Sequence, residues 1–364
     1  MKPVKNPPLN FVFRLPFHPD VNEKTTNRAA ELWADYEAGV RKRDEEKASE
    51  FAATIKRRAE KLRRTIGAEH FFALQRFKQN LQLEALKKRN PIKATAEIRA
   101  DLLRNQTRRF KKFLAGRGIA ADRLSDAVTQ VFEGVAFPFG TDFVGEITDA
   151  VLEQPPPGPN AFVTFTPPFT GFGTGYSEGA TGFTYEHEYL SDATAGQVGL
   201  KIRLDDRNAR EIDSAFMNRS SLVAFWFKAP LTGQVEAFID FQCVAARHKL
   251  TVEDQCGFSH AKVTQKHMFS MQVIHPNVFA PTFSLASQMT YDGDSEVFLD
   301  HRHLPGGHKL QTRMVSEGVI NAGDMVMVAV GCRSEDQAYS NDMEVHSESI
   351  FAWFIPRVHV RILE

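Results

Sequence analysis

The sequence has little cysteine and no long apolar run. Only three cysteines occur in 364 residues, Cys243, Cys256 and Cys332, and none belongs to a C-x-x-C pair. An odd number in this arrangement argues against a disulfide framework and against a cysteine-based zinc motif. The apolar stretch near the amino terminus is short and broken by proline, and no run has the length of a bilayer-spanning helix. We therefore predict a soluble protein, synthesised in the cytoplasm without a signal peptide or transmembrane segment, with incorporation into a particle or export by a non-classical route left open.

The net charge of zero hides an uneven distribution. Residues 1–130 contain 29 Lys and Arg against 16 Asp and Glu, whereas residues 131–364 contain 16 against 29. This excess predicts an anionic partner for the first part: nucleic acid, an anionic lipid surface or an acidic surface of the same assembly. The candidate contact residues lie in basic runs: Arg57, Arg58, Arg63, Arg64, Lys87, Lys88, Arg108, Arg109, Lys111 and Lys112. The alternative is that these runs are the solvated faces of amphipathic helices.

Apolar residues recur at helical spacing through the first third of the chain. Trp33, Tyr36 and Val40 are three and four positions apart, and a similar stripe runs from residue 51 to residue 66. Gly67 and Pro91 divide the pattern into separate segments. The spacing predicts three or four helices, arranged as an antiparallel bundle or as a coiled-coil hairpin.

The composition changes after residue 134, where phenylalanine, glycine and proline replace the helical pattern. A cluster of four prolines and one glycine at 155–159 is stiff and cannot continue a helix. Beyond it, apolar residues alternate with polar ones, as from Val235 to Cys243 and from Val358 to Ile362. The runs 222–227 and 325–330 are typical of buried strands.

We therefore predict an α+β multi-domain protein with an N-terminal helical bundle or coiled-coil hairpin and a C-terminal antiparallel β-sandwich like a jelly roll. The predicted segments are an N-terminal arm at 1–21, a basic helical domain at 22–134, a proline-rich linker at 135–160 and the β-sandwich at 161–364.

Two segments of the second part resemble the globular heads related to complement and tumour necrosis factor. Residues 227–238, FKAPLTGQVEAF, are similar to the F-x-A-P-x-x-G strand-turn-strand of that family. Residues 320–328, INAGDMVMV, and the closing strand at 349–355 resemble its L-x-x-G-D-x-V-x-V and final strand motifs. The resemblance implies a jelly roll that trimerises around an apolar axis and binds partners through its loops.

Two polar clusters are candidates for metal binding. His301 and His303 would lie on one side of a strand, and His308 follows in the same segment, so these imidazoles are candidate zinc ligands. Asp292 and Asp294 offer alternating carboxylates of the kind that calcium prefers. In both cases the simpler interpretation is a polar turn. We predict no required cofactor, and calcium or zinc as the optional metal.

No motif indicates a catalytic mechanism. The sequence contains no G-x-S-x-G elbow and no H-E-x-x-H zinc motif. The leading hypothesis is a non-enzymatic structural or attachment protein, such as a phage-tail-like component, that forms a homo-oligomer, favoured to be a trimer, and recognises a protein or glycan. The alternatives are a membrane-active toxin-like protein whose basic helices engage anionic lipid, and a metal-dependent enzyme that uses the histidine residues.

Overall fold

The computed structural model describes residues 12–13, 20–67, 69–70, 73, 108–109, 111–120, 162–206, 212–254, 260–275, 281–293, 296–341 and 343–364. Within these residues the chain order begins with β1 (Val12–Phe13) and α1 (Glu23–Ile66). The strands that follow are β2 (Val163–Phe165), β3 (Gly171–Thr181), β4 (Thr184–Tyr189), β5 (Gln197–Asp206), β6 (Ile212–Lys228), β7 (Gly233–Asp254), β8 (His260–Ile274), β9 (Pro281–Gly293), β10 (Val297–Leu304), β11 (Lys309–Ile320), β12 (Met325–Asn341) and β13 (Met343–Leu363).

The strands form two antiparallel sheets. Sheet 1 has the order β1-β3-β6-β12-β8-β9, and sheet 2 has the order β10-β7-β13-β5-β4, with β11 also paired to β7 and β2 to β13. The chain passes repeatedly from one sheet to the other, so β5, β13, β7 and β10 with β11 face β6, β12, β8 and β9. This is the double-sheet arrangement of a jelly roll. The predicted antiparallel β-sandwich is confirmed.

The two turns that carry the family resemblance lie side by side. The turn after β6 contains Ala229, and the turn between β11 and β12 contains Gly323 and Asp324. Gly323 N donates to Ala229 O at 2.8 Å, and Ala229 N donates to Asp324 O at 2.9 Å. Gly323 has a φ of 86°, a conformation that glycine adopts without strain. The two motifs therefore form one hydrogen-bonded end of the sandwich.

Helix α1 packs on the outer face of sheet 1. Asn22 caps its first turn by accepting from Thr25 N at 3.0 Å. Trp33 is 1% exposed and lies against an apolar patch on β6, β8 and β12. The members of this apolar patch are Leu222, Ala224, Trp226, Ile274, Met327 and Ala329. The patch is buried because the helix covers it.

The middle of α1 meets a polar part of the same sheet. Asp44 accepts hydrogen bonds from Ser177 and from Asn218, the latter at 3.3 Å. Glu37 is buried against β3, where a Cβ on Gly175 would come within 2.5 Å of Glu37 Oε1. Glycine at that position therefore allows the close approach of helix and strand. Asp44 belongs to the charged segment 41–47, RKRDEEK, which separates the apolar residues before and after it. This segment therefore lies at the polar part of the interface.

The outer face of sheet 2 carries a ladder of charges instead of an apolar surface. One row across β10, β7, β13, β5 and β4 alternates in sign: Asp300, Lys249, Glu348, Arg203 and Glu186. Facing pairs of opposite charge stabilise neighbouring strands and suit a hydrated surface. The outer face of sheet 1 therefore suits a packed helix, whereas the charged row on the outer face of sheet 2 suits contact with water.

The predicted bundle or coiled-coil hairpin is wrong for the part of the chain that can be compared. Its first helix, α1, packs on the sandwich, because Trp33 and its neighbours match the apolar patch of sheet 1. Residues 111–116 are also helical, but most of the predicted helical region after residue 70 lies outside the described residues. The four predicted segments, with their boundaries, and the predicted trimer stay predictions. No helix in the described ranges is both long and apolar enough for a membrane span.

Candidate functional site

A layer of polar side chains crosses the interior of the sandwich between two apolar clusters. We call this layer the polar belt, and its members are all buried: Arg219, Ser221, His248, Gln265, His267, Ser287, Ser334, Asp336, Ser347 and Ser349. One apolar cluster, which includes Phe269 and Trp353, lies on one side, and the other, which includes Val263 and Val345, lies on the opposite side. Buried polar groups destabilise a core unless they are paired, so the belt depends on its internal hydrogen bonds.

Strand register places six of the belt residues at one level in the two sheets. In sheet 1 the row across β3, β6, β12, β8 and β9 is Tyr176, Arg219, Ser334, His267 and Ser287. In sheet 2 the row across β4, β5, β13, β7 and β10 is His187, Ile202, Ser349, His248 and His301. Side chains of the two rows meet between the sheets, as where Ser334 Oγ lies 3.4 Å from Ser349 Oγ. The belt ends at two open sides of the sandwich, one at β9 and β10 and one at β3 and β4.

The end at β9 and β10 is a histidine cluster, formed by His248, His267 and His303 around Ser287. Ser287 Oγ lies 2.8 Å from His248 Nε2, 3.4 Å from His267 Nδ1 and 3.0 Å from His303 Nε2. The rings of His248 and His267 are stacked with centroids 4.2 Å apart. The register of β10 shifts between Arg302 and Leu304, which places His303 at a bulge. Bulges re-aim side chains and are frequent beside functional sites.

The hydrogen-bond partners fix the tautomers in this cluster. Gln265 Nε2 donates a hydrogen bond to Ser347 Oγ at 2.8 Å. Its Oε1 atom is an acceptor, so His248 Nδ1 donates to it at 2.9 Å. The Nε2 atom of His248 is then unprotonated and accepts the Ser287 hydroxyl proton. Ser287 Oγ has only lone pairs left, so the facing nitrogens of His267 and His303 donate to it. Each imidazole can make these contacts in its neutral form.

Burial favours the same neutral state. Removal from water lowers the pKa of His248 to about 3 and the pKa of His303 to about 4, and it holds the pKa of His267 well below its ordinary value. Neighbouring imidazoles add to each of these shifts. Two nitrogens, His267 Nε2 and His303 Nδ1, are buried without a hydrogen-bond partner among the described residues. A neutral imidazole with a free nitrogen lone pair is the form that binds transition metals.

The opposite end of the belt is an aromatic edge. Tyr185, His187 and Tyr189 occupy alternate positions of β4, so their side chains share one face of the strand. Tyr185 is 40% exposed, and its hydroxyl donates to Glu178 Oε1 at 3.2 Å. The rings of His187 and Tyr189 meet edge to face with centroids 5.5 Å apart. Tyr176 completes this group from β3, so aromatic rings line both strands.

Arg219 supplies a buried positive charge beneath the aromatic edge. Its side chain is 1% exposed, pairs with Glu178 and lies 4.9 Å from the centre of the Tyr176 ring. Its Nη2 atom is 3.3 Å from His187 Nδ1. Burial and this guanidinium lower the pKa of His187. From the helix side, Arg41 Nη1 donates to the Tyr176 hydroxyl at 3.2 Å. The aromatic edge thus combines rings with two guanidinium groups and a carboxylate.

The belt also contains a fully buried carboxyl group, that of Asp336. Burial raises the pKa of Asp336 to about 7, although hydrogen bonds from Ser349 and Ser334 oppose the shift. Ser334 Oγ donates to Asp336 Oδ1 at 2.8 Å, while Oδ2 has no partner among the described residues. The carboxyl group is consequently protonated over much of the acidic range.

We expect Asp336→Asn to stabilise the protein increasingly as pH rises. Between pH 3.8, the ordinary pKa, and about 7, the folded state binds more protons at Asp336, so this residue's contribution to stability falls with rising pH. The variant removes that term, and its stability relative to wild type should change by on the order of 2–4 kcal/mol across the window. Urea unfolding of both proteins at several pH values measures the difference. The histidine cluster contributes in the opposite sense, and Glu37, whose pKa burial raises to about 7, contributes in the same sense. Both contributions are common to the two proteins and cancel in the difference.

Asp300→Asn is the matched control for this prediction. Asp300 is exposed, and its hydrogen bond from Arg247 lowers its pKa. The stability difference for this variant should therefore stay constant over the same pH range. An equally constant difference for Asp336→Asn would contradict the assignment of a raised pKa to Asp336.

Among the predicted metal ligands that the structure describes, His303 alone belongs to a group of side chains that could hold a metal ion. His303 lies with His248 and His267, and His301 is its neighbour, with ring centroids 6.2 Å apart. His308 closes the turn before β11, where its carbonyl oxygen accepts from Cys243 N at 2.7 Å. Asp292 pairs with His260 at 2.8 Å and with Lys262 at 3.2 Å. Asp294 lies outside the described residues.

The predicted basic contact residues are on the surface wherever the structure describes them. Arg57, Arg63 and Arg64 are exposed on the second half of α1, and Arg58 is half-buried. A second exposed group consists of Arg108, Arg109, Lys111 and Lys112. Lys87 and Lys88 lie outside the described residues. The anionic partner stays a prediction.

Comparisons with known proteins return distant structural similarity only. No family model matches the chain, and no curated protein matches it. A family 35 carbohydrate-binding module from Clostridium thermocellum is 10% identical over 49% of this chain and 97% of its own, with a TM-score of 0.16. A family 61 module in complex with β-1,4-galactotriose is 6% identical over 44% of this chain and 86% of its own, with a TM-score of 0.14.

The enzymatically active domain of tailspike protein 4 from bacteriophage CBA120 is also similar. It is 6% identical over 47% of this chain and 19% of its own, with a TM-score of 0.14. TM-scores this low do not establish a common fold. The jelly-roll assignment therefore depends on the strand order of this chain.

Proposed function

We propose that this chain is a non-enzymatic structural or attachment protein whose β-sandwich recognises a glycan through the aromatic edge. The observation that carries this proposal is the set of three rings at alternate positions of β4, with Glu178 and Arg219 beside them. Sugar rings present apolar C–H faces that pack on aromatic side chains, and their hydroxyls pair with carboxylate and guanidinium groups. The aromatic edge presents the rings directly, while the buried Arg219 holds the Glu178 carboxylate in position beside them.

The surroundings of the aromatic edge support a binding role. Arg219 and Glu178 are held in place by each other and by Tyr176, so their polar atoms are oriented before a ligand arrives. Tyr185 and His187 are the exposed members and would make the first contact. Helix α1 adds Arg41 from the covered side of sheet 1. In this proposal the helix fixes the N-terminal part to the sandwich, while the aromatic edge stays open to solvent.

Binding of the full chain to a glycan array tests this proposal. We expect selective binding to one class of oligosaccharide, weakened at least about tenfold by Tyr185→Ala, because an exposed aromatic ring at the centre of a contact carries much of its binding energy. Tyr185→Phe should retain most of the binding, since it keeps the ring and loses only the hydroxyl.

Phe298→Ala is the matched control, because Phe298 is a 71% exposed ring on β10, away from the aromatic edge. It should bind as the wild type does. The proposal is contradicted if the folded chain binds no glycan above background, or if Tyr185→Ala and Phe298→Ala bind equally well.

A relation to the complement and tumour necrosis factor heads is part of the same proposal. The two paired turns at Ala229 and Gly323 support it. The mass of the full chain in solution distinguishes the trimer that this relation implies from a monomer.

A further inference from the structure

The histidine cluster consists of neutral imidazoles that take no part in the proposed glycan recognition. His248 and His267 are fully buried, and His303 is half-buried at the edge strand. Their three candidate ligand atoms all lie within 4.8 Å of one another. Imidazoles at this distance have a shared focus, which in the structure is the Ser287 hydroxyl oxygen. The cluster is at the opposite end of the polar belt from the aromatic edge.

The donor set determines which ligand would suit this focus. It consists of three imidazole nitrogens and a hydroxyl, with no carboxylate or thiolate in the group. Hard cations such as Ca²⁺ and Mg²⁺ require several oxygen ligands, so they do not fit. Late first-row divalent cations accept imidazole readily, and three histidines with one open position form a known type of zinc site.

The geometry requires a modest rearrangement before a cation can bind. Zinc–nitrogen bonds of about 2.0 Å in a tetrahedral site place ligand nitrogens about 3.3 Å apart, so the imidazoles must close around the focus by about 1 Å each. Ser287 must turn its hydroxyl away, and the stacked rings must rotate about their χ2 angles. His267 and His303 must also change tautomer, so that the nitrogens facing Ser287 lose their protons and the other ring nitrogens carry them. His303 is the member with room to move, because it is the least buried and lies at the bulge of β10.

We propose that His248, His267 and His303 form a binding site for Zn²⁺ or a related late first-row divalent cation, and that the cation displaces the Ser287 hydroxyl from the central position. The hydroxyl and the cation occupy the same focus, so they are alternatives. In the cation-free form, the Ser287 hydroxyl holds the neutral imidazoles in position. His301 is the next imidazole on β10, with its ring centroid 6.2 Å from that of His303.

Titration of the full-length protein with ZnCl₂ and CoCl₂ after removal of metal by a chelator tests this proposal. We expect one equivalent to bind, visible d–d absorption of tetrahedral Co²⁺, and an increase in Tm on addition of Zn²⁺. His303→Ala should reduce the affinity at least about tenfold and abolish the Tm increase, because it removes a ligand.

Two further variants keep the test informative. Ser287→Ala should bind Zn²⁺ at least as tightly as wild type, because it removes the competing hydroxyl and leaves the three ligands. His308→Ala should leave binding unchanged, since His308 lies outside the group. If His303→Ala does not fold, His303→Gln serves in its place. Absence of stoichiometric binding, or equal binding by wild type and the His303 variant, would overturn the proposal, and neither result bears on the aromatic edge.

Discussion

Replacement of Trp33 by alanine is expected to lower the free energy of unfolding by about 3–5 kcal/mol, the range for a large buried aromatic residue. Trp33 is 1% exposed and fills the contact between α1 and the apolar patch of sheet 1. Removal of the indole leaves a cavity against Leu222, Trp226 and Met327 that neither the rigid sheet nor the helix can close. Urea unfolding of the full chain, followed by circular dichroism, measures the loss.

Phe298→Ala provides the comparison for this prediction. It also deletes an aromatic ring, but from an exposed position, so its effect should stay within about 0.5 kcal/mol. Equal effects of the two variants would mean that α1 is not docked on the sandwich in solution. A detached helix would also expose the apolar patch, and a contiguous apolar surface of that kind promotes association.

Replacement of Arg219 by methionine is expected to destabilise the protein by about 3–5 kcal/mol, because it leaves a partly buried carboxylate without its partner. The Arg219 side chain is 1% exposed and pairs with Glu178, whose side chain is 13% exposed. The guanidinium also contacts the Tyr176 ring and His187. The same variant should weaken glycan binding, because the aromatic edge loses the group that orients it.

The double variant Arg219→Met with Glu178→Gln separates the charge effect from the packing effect. It removes both charges, so much of the lost stability should return. Arg357→Ala is the surface control, since Arg357 pairs with Asp240 from an exposed position and should contribute no more than about 1 kcal/mol. If Arg219→Met matched Arg357→Ala in urea unfolding, the buried pair would not be an important element of the sandwich.

The sandwich itself was predictable because its strands obey simple rules. The alternation from Val235 to Cys243 predicts that the apolar side chains of β7 face the core of the sandwich, as the structure confirms. The same holds for Val358 and Val360 in β13. Such alternation identifies the buried face of a strand but does not name the strand it pairs with. The partner of α1 escaped prediction for the same reason, because helical spacing around Trp33 is identical for a bundle, a coiled coil and a helix on a sheet.

The candidate sites were predictable only in fragments. His303 was recognisable from its neighbours in β10, whereas His248 and His267 lie 55 and 36 positions earlier in the chain and join it only through strand pairing. A signal was present, since His248 occupies a core position between Ala246 and Leu250. The aromatic edge had a signal too, in the alternation of Tyr185, His187 and Tyr189 with glutamates. The buried charge beneath it, Arg219, required the structure.

Hydroxyl-radical footprinting of the full chain, with and without a mixture of soluble oligosaccharides, tests glycan recognition at the aromatic edge. We expect protection of Tyr185, His187 and Tyr189 in the presence of the sugars, with unchanged labelling of the exposed Phe298. Protection elsewhere on the sandwich, or no protection by any sugar in the mixture, would contradict glycan recognition at the aromatic edge.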